Sequence, residues 1–158
     1  MRLGFGKISA SVTIAASLAI TLGACMSNQS VAPVAPVAAP AIAPDLLVGK
    51  WGLASYHKEA DRLRTETAAR GQCNKPYVIG MGQSGGVLMH LADQPQAQEV
   101  FIKSTADGKT FLGPAGDAGG QLDREIVSFD NGVLVTRWVD PDSASRYGTM
   151  IFARCAPR

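Results

Sequence analysis

From Leu47 onward, side chains of different character alternate with a period of two, the spacing that sends successive residues to opposite faces of a strand. Leu47, Gly49, Trp51 and Leu53 alternate with Val48, Lys50, Gly52 and Ala54. The pattern recurs over 77–81, 87–92, 99–104, 110–112, 124–129, 133–139 and 146–154, which makes eight candidate strands. Between several of them lie Gly82 to Gly86, Asp107-Gly108 and Asp130-Asn131-Gly132. Their glycines permit the positive φ angles of tight hairpins, so sequence neighbours are expected to pair antiparallel. One segment departs from the period. Residues 59–70 are rich in Ala, Leu, Glu and Arg, place Leu63 and Thr67 four apart, and stop at Gly71, which predicts one short helix near 59–70. Eight short strands in about 110 residues predict a mainly β fold, a small antiparallel eight-stranded barrel or a sandwich.

The beginning of the chain follows a different pattern. Arg2 and Lys7 open an apolar run in which Ile8 to Ala24, seventeen residues, carry no charge. That is shorter than the roughly 20 apolar residues of a membrane span, and Ser9, Ser11, Thr13, Ser17 and Thr21 interrupt it. A secretory signal core with its cleavage site fits better. The run ends in Leu22-Gly23-Ala24-Cys25, which resembles a bacterial lipoprotein lipobox. The resemblance implies a signal peptide over 1–24, cleavage before Cys25, diacylation of the Cys25 thiol and acylation of the new amino terminus. The partner would then be a lipid bilayer, held through acylated Cys25. Each buried methylene contributes about 0.8 kcal/mol, and stable anchoring takes two chains rather than one. In that family a residue other than Asp after the lipidated cysteine directs sorting to the outer membrane, and Met26 and Ser27 follow here. A periplasm-facing, lipid-anchored outer-membrane location is expected. Pro33, Pro36, Pro40 and Pro44 then punctuate an Ala/Val stretch. They forbid helix and sheet ladders and favour extended polyproline II, so 25–44 reads as a semi-rigid tether and 45–158 as a single β-rich domain.

Removal of the leader changes the charge. The whole chain has 15 Lys and Arg against 13 Asp and Glu, but Arg2 and Lys7 leave with residues 1–24, so the remaining 134 residues are balanced at 13 each. No clustered basic stripe remains to meet a phosphate backbone, and nucleic acid is not expected as a partner. With Cys25 taken by lipid, Cys73 and Cys155 are left in an oxidising compartment and are expected to form a disulfide. It would close a loop of about 80 residues and contribute about 4 kcal/mol. The alternative, two free thiols serving redox or metal chemistry, lacks a CxxC spacing or a nearby His.

Gly49-Lys50-Trp51 on the first strand resembles the G-x-W signature of lipocalin-like barrels, in which an Arg of the last strand lies over the Trp. The resemblance implies that Trp51 and Arg154 form such a structural pair. The same opening is found in the small barrels of bacterial metalloprotease-inhibitor lipoproteins, which also carry a lipobox, a Pro/Ala-rich tether and one disulfide. Their cysteines lie close together near the start of the barrel, whereas Cys73 and Cys155 are far apart.

Several patterns suggest chemistry. Gly80 to Gly85 satisfies G-x-G-x-x-G, but another strand follows instead of the helix whose amides would hold a pyrophosphate. Gly82 to Gly86 satisfies G-x-S-x-G and resembles the nucleophile loop of serine hydrolases around Ser84, with His57 and His90 as possible bases; that elbow needs a strand turning into a helix, and a glycine-rich hairpin accounts for the same letters. Glu59 and Asp61 suit the positive end of a helix dipole. Asp140-Pro141-Asp142-Ser143 reads as a turn rather than a calcium loop, and Asp123-Arg124-Glu125 as a solvated strand edge. No cofactor, metal or catalytic residue is called for. Trp51, Phe101, Phe111, Phe129, Trp138 and Phe152 are expected to fill a narrow interior. The expected function is a tethered, non-enzymatic binding or inhibitory module of the envelope, taking a small apolar ligand or a protein. The alternatives are a structural component of an outer-membrane or peptidoglycan assembly, or a small serine hydrolase using Ser84.

Overall fold

The period-two segments pair in sequence order. In a computed structural model that describes residues 42–156, the strands are β1 Gly49–Tyr56, β2 Tyr77–Met81, β3 Val87–His90, β4 Ala97–Ser104, β5 Thr110–Gly113, β6 Arg124–Asp130, β7 Val133–Trp138 and β8 Thr149–Arg154. Each is antiparallel to its neighbour, and β8 returns to β1 in the register Trp51↔Arg154 to Tyr56↔Thr149. The result is a closed eight-stranded barrel and not a sandwich. Closure leaves no sheet edge unpaired, which removes the template on which other chains would pair. The expected signal peptide, Cys25 and nearly all of the expected tether lie outside the described residues.

Turn chemistry fixes the hairpins. Asn131 and Gly132 both have positive φ, 49° and 72°, as a two-residue type I′ connection requires. In β6 the register shifts between Ile126 and Ser128, a bulge that leaves Val127 exposed and sharpens the local twist.

Alternation divides the apolar residues between two cores. Leu47, Trp51, Ile79, Val87, Met89, Val100, Leu112, Leu134 and Phe152 fill the interior. Outside, Tyr56, Val135, Ile151 and Ala153 meet Ala69 of α1, Arg62–Gly71. A turn of 3-10 helix, Glu59–Asp61, leads into α1 and another, Gln72–Asn74, follows it, so the helix expected near 59–70 runs a few residues longer. Its buried face is Thr65 and Ala69, whereas Leu63 is 79% exposed. Small residues let the helix sit close to the barrel. A Cβ on Gly52 would lie 1.8 Å from the Ala69 carbonyl oxygen, so only glycine fits at that point of β1.

Three expectations are corrected. Asp140-Pro141 opens a second helix, α2, Pro141–Tyr147, in which Asp140 accepts a hydrogen bond from the Ser143 amide at 2.7 Å and Pro141 takes the first turn. Capping Asp followed by Pro is a helix-start signal, and the last strand therefore begins at Thr149 rather than near Arg146. Phe101 and Phe111 alternate with interior Val100, Ile102 and Leu112 and stand on the outer face. Asp123 and Arg124 are not a solvated edge, since each is only 1% exposed.

Candidate functional site

The two ends of the barrel are built differently. At one end the 3-10 turn Pro44–Leu47 lays Leu47 into the interior core. There the Trp51 indole N–H donates to the Leu47 carbonyl at 2.8 Å. The Arg154 guanidinium lies 4.1 Å from the Trp51 ring centre and donates to the carbonyls of Val48 and Leu46. Stacking and hydrogen bonding together hold the turn over the barrel end. Cys73 and Cys155 are disulfide-bonded, which ties the end of the helical segment to the residue just past β8.

Ser84 sits in the β2–β3 hairpin among amides that point at one acceptor. Glu99 Oε1 accepts from the Ser84 amide at 2.8 Å and the Gly86 amide at 2.9 Å. The glycine-rich loop thus cradles a carboxylate of its own chain. His57 lies beside Gly148 and His90 beside Tyr77, and neither is hydrogen-bonded to Ser84. The Gly86 amide above all, with Ser84 adding to it, holds Glu99 below the usual glutamate range. A depressed carboxylate contributes stability above its unfolded-state pKa and loses it as pH falls through the folded one. The Ser84 and Gly86 amide resonances are expected to shift together on acidification, at a midpoint below that of an ordinary glutamate. Glu99→Gln should abolish that step; a midpoint at the ordinary glutamate value would contradict the assignment.

The opposite end is open. β2, β6 and β8 begin there and β3 and β7 end there, around a cavity of about 720 Å³ whose lining includes Leu53, Tyr77, Leu91, Trp138, Tyr147 and Met150. A cavity of about this size and apolar character suits a small molecule. Its rim is clipped. Asp93, in the β3–β4 connection with φ 58°, accepts from Arg146 at 2.6 Å and from the Tyr147 hydroxyl at 2.5 Å on α2. The hydrogen bond to Asp93 raises the Tyr147 hydroxyl above the usual tyrosine range.

Arg124 also lines this cavity. It is the first residue of β6 and pairs with Trp138 across the barrel wall; its guanidinium lies 4.7 Å from the Trp138 ring centre. Nη2 reaches the Met89 sulfur at 3.8 Å, the Tyr77 hydroxyl is a further side-chain hydrogen-bond partner of the guanidinium, and Nε has none. Burial pulls the guanidinium below the ordinary arginine range, and the Tyr77 hydroxyl opposes that shift. It remains charged at neutral pH. Tyr77 in turn accepts from the His90 amide at 2.8 Å and packs edge-on against Phe152 with ring centres 5.4 Å apart.

The neighbouring acid serves elsewhere. Asp123 Oδ1 meets Lys103 at 2.7 Å, and its Oδ2 accepts from the Gly119 and Gly120 amides at 2.8 and 3.0 Å. Three adjacent residues therefore separate into three roles: Asp123 orders the 114–122 loop, Arg124 faces the cavity, and Glu125 pairs with Arg137 outside at 2.7 Å. Sequence reasoning missed Arg124 because a charged triplet reads as solvated. The usable signal was its alternation with Ile126, which packs against the interior core. Comparison with protein-family models, curated proteins and solved structures finds no match to this chain.

Proposed function

We propose that this chain is a lipid-tethered envelope protein whose barrel is a non-enzymatic binding module, holding a small apolar ligand in the open mouth. The observation that carries the binding reading is the cavity itself. It lies at the end of the barrel opposite the Leu47 turn and the Arg154–Trp51 stack, and aromatic and aliphatic side chains dominate its lining. The tether reading is supported by the lipobox at Cys25 and the Pro/Ala stretch that follows it.

The two halves have separate tests. Cys25→Ser is expected to release the protein from the membrane fraction or leave it as uncleaved precursor; a mature Cys25→Ser chain that still partitions into detergent contradicts lipid attachment. For binding, the neutral fluorophore N-phenyl-1-naphthylamine is expected to brighten saturably with the full chain. Met150→Trp, which fills the mouth, should remove the saturable signal. Brightening that does not saturate, or that Met150→Trp leaves untouched, contradicts a ligand site in the mouth.

A further inference from the structure

Among the described residues, the buried side-chain nitrogen and oxygen atoms without a hydrogen-bond partner are Arg124 Nε, Thr136 Oγ1 and Trp138 Nε1. They are not scattered. Arg124 pairs with Trp138 and Ile126 with Thr136 across the β6–β7 ladder, so all three belong to one inward-facing patch of wall. All three can donate, and two of them can only donate. The positive charge among them has no counter-charge. Arg124 forms no ion pair among the described residues, and Asp93, the one carboxylate lining the cavity, is committed to Arg146 and Tyr147 on the rim. Buried charges are normally paired, and a buried unpartnered donor calls for an explanation.

We infer that the mouth binds a single-chain amphiphile with a carboxylate head, the head on Arg124 and the alkyl chain along the apolar wall; this rests on the ligand-binding reading above. An ionised carboxylate is acceptor-only and carries one negative charge, which matches an unsatisfied donor patch holding one positive charge. A guanidinium edge engages a carboxylate through parallel N–H···O bonds. A phosphate dianion would bring a second charge into a site with one cation, and an alcohol would bring none and add a donor. Beside Arg124 and its Trp138 neighbour, Leu53, Leu91 and Met150 offer aliphatic surface and Tyr147 aromatic surface in the same cavity, a lining along which an unbranched chain can lie.

The test is calorimetric titration of the full chain with decanoate, decan-1-ol and decyl phosphate. Decanoate is expected to bind about 10- to 100-fold more tightly than decan-1-ol, the range of a hydrogen bond to a charged group, and more tightly than decyl phosphate. Arg124→Met should bring the decanoate-to-decanol ratio close to one. The ligand-free melting point of Arg124→Met should not fall, because an apolar side chain of similar volume replaces an unpaired buried charge. Intermolecular nuclear Overhauser contacts in the wild-type protein, independent of any variant, should run from the decanoate C2 protons to the Trp138 ring. Equal affinity for decanoate and decan-1-ol overturns the head-group assignment and leaves an apolar mouth standing. Tighter binding of decyl phosphate replaces the carboxylate by a phosphate head. Contacts from the terminal methyl to Trp138 reverse the ligand and overturn the role of Arg124. Absence of binding by all three removes this inference and the reading beneath it together.

Discussion

Reduction of the Cys73–Cys155 bridge is expected to lower the melting temperature by more than ten degrees. The bond joins residues 82 apart in sequence, and restraining an unfolded loop of that length contributes about 4 kcal/mol in the chain-entropy treatment. A domain near 100 residues shifts by roughly 4 to 8 °C per kcal/mol. The placement adds a structural reason. α1 contributes only Thr65 and Ala69 to a buried face, so its hold on the outer wall owes much to the bridge at its far end. Replacing both cysteines by alanine should reproduce the effect of reductant, and the denatured, unreduced protein should show no alkylatable thiol at 73 or 155. Melting indifferent to reductant would mean that the helix is held by packing alone.

Asp123→Ala is expected to destabilise the protein by about 3 to 5 kcal/mol, the cost of removing one partner of a buried ion pair. Lys103 and Asp123 side chains are 12% and 2% exposed. Without the carboxylate, Lys103 keeps only the carbonyls of Pro114 and Asp117, and the Gly119 and Gly120 amides lose their acceptor. Adding Lys103→Met to Asp123→Ala should recover part of the loss, because it removes the stranded charge; neighbours of this kind couple by about 0.5 to 3 kcal/mol. Strict additivity in chemical denaturation would show that the pair does not act as a unit.

Period two was enough to read the strands, because a barrel has an inside and an outside and each strand must alternate between them. β2 runs from Tyr77 to Met81 as the pattern predicts, and the turn glycines name the neighbours. The Trp51 and Arg154 positions even anticipate the closing register, since these two residues are direct partners across β1 and β8. What alternation does not carry is the identity of the layer beyond the wall. α1 was read through Leu63 and Thr67, yet the face that packs is Thr65 and Ala69, where small size over Gly52 matters more than hydropathy. α2 was hidden because Asp-Pro-Asp-Ser is chemistry shared by turns and helix starts. The candidate site was the least legible part. Asp123 and Arg124 look solvated until Lys103, 20 residues earlier in the chain, takes the acid away and the strand turns the arginine inward. No local pattern reports a partner that distant.

Native mass spectrometry of the protein taken directly from its membrane tests the account most directly. It should find a chain beginning at Cys25, carrying covalent acyl groups and a small noncovalent ligand that decanoate displaces and Met150→Trp excludes. A chain without acyl modification at Cys25 contradicts the tether, and a bare barrel that gains no mass when decanoate is added contradicts the binding module.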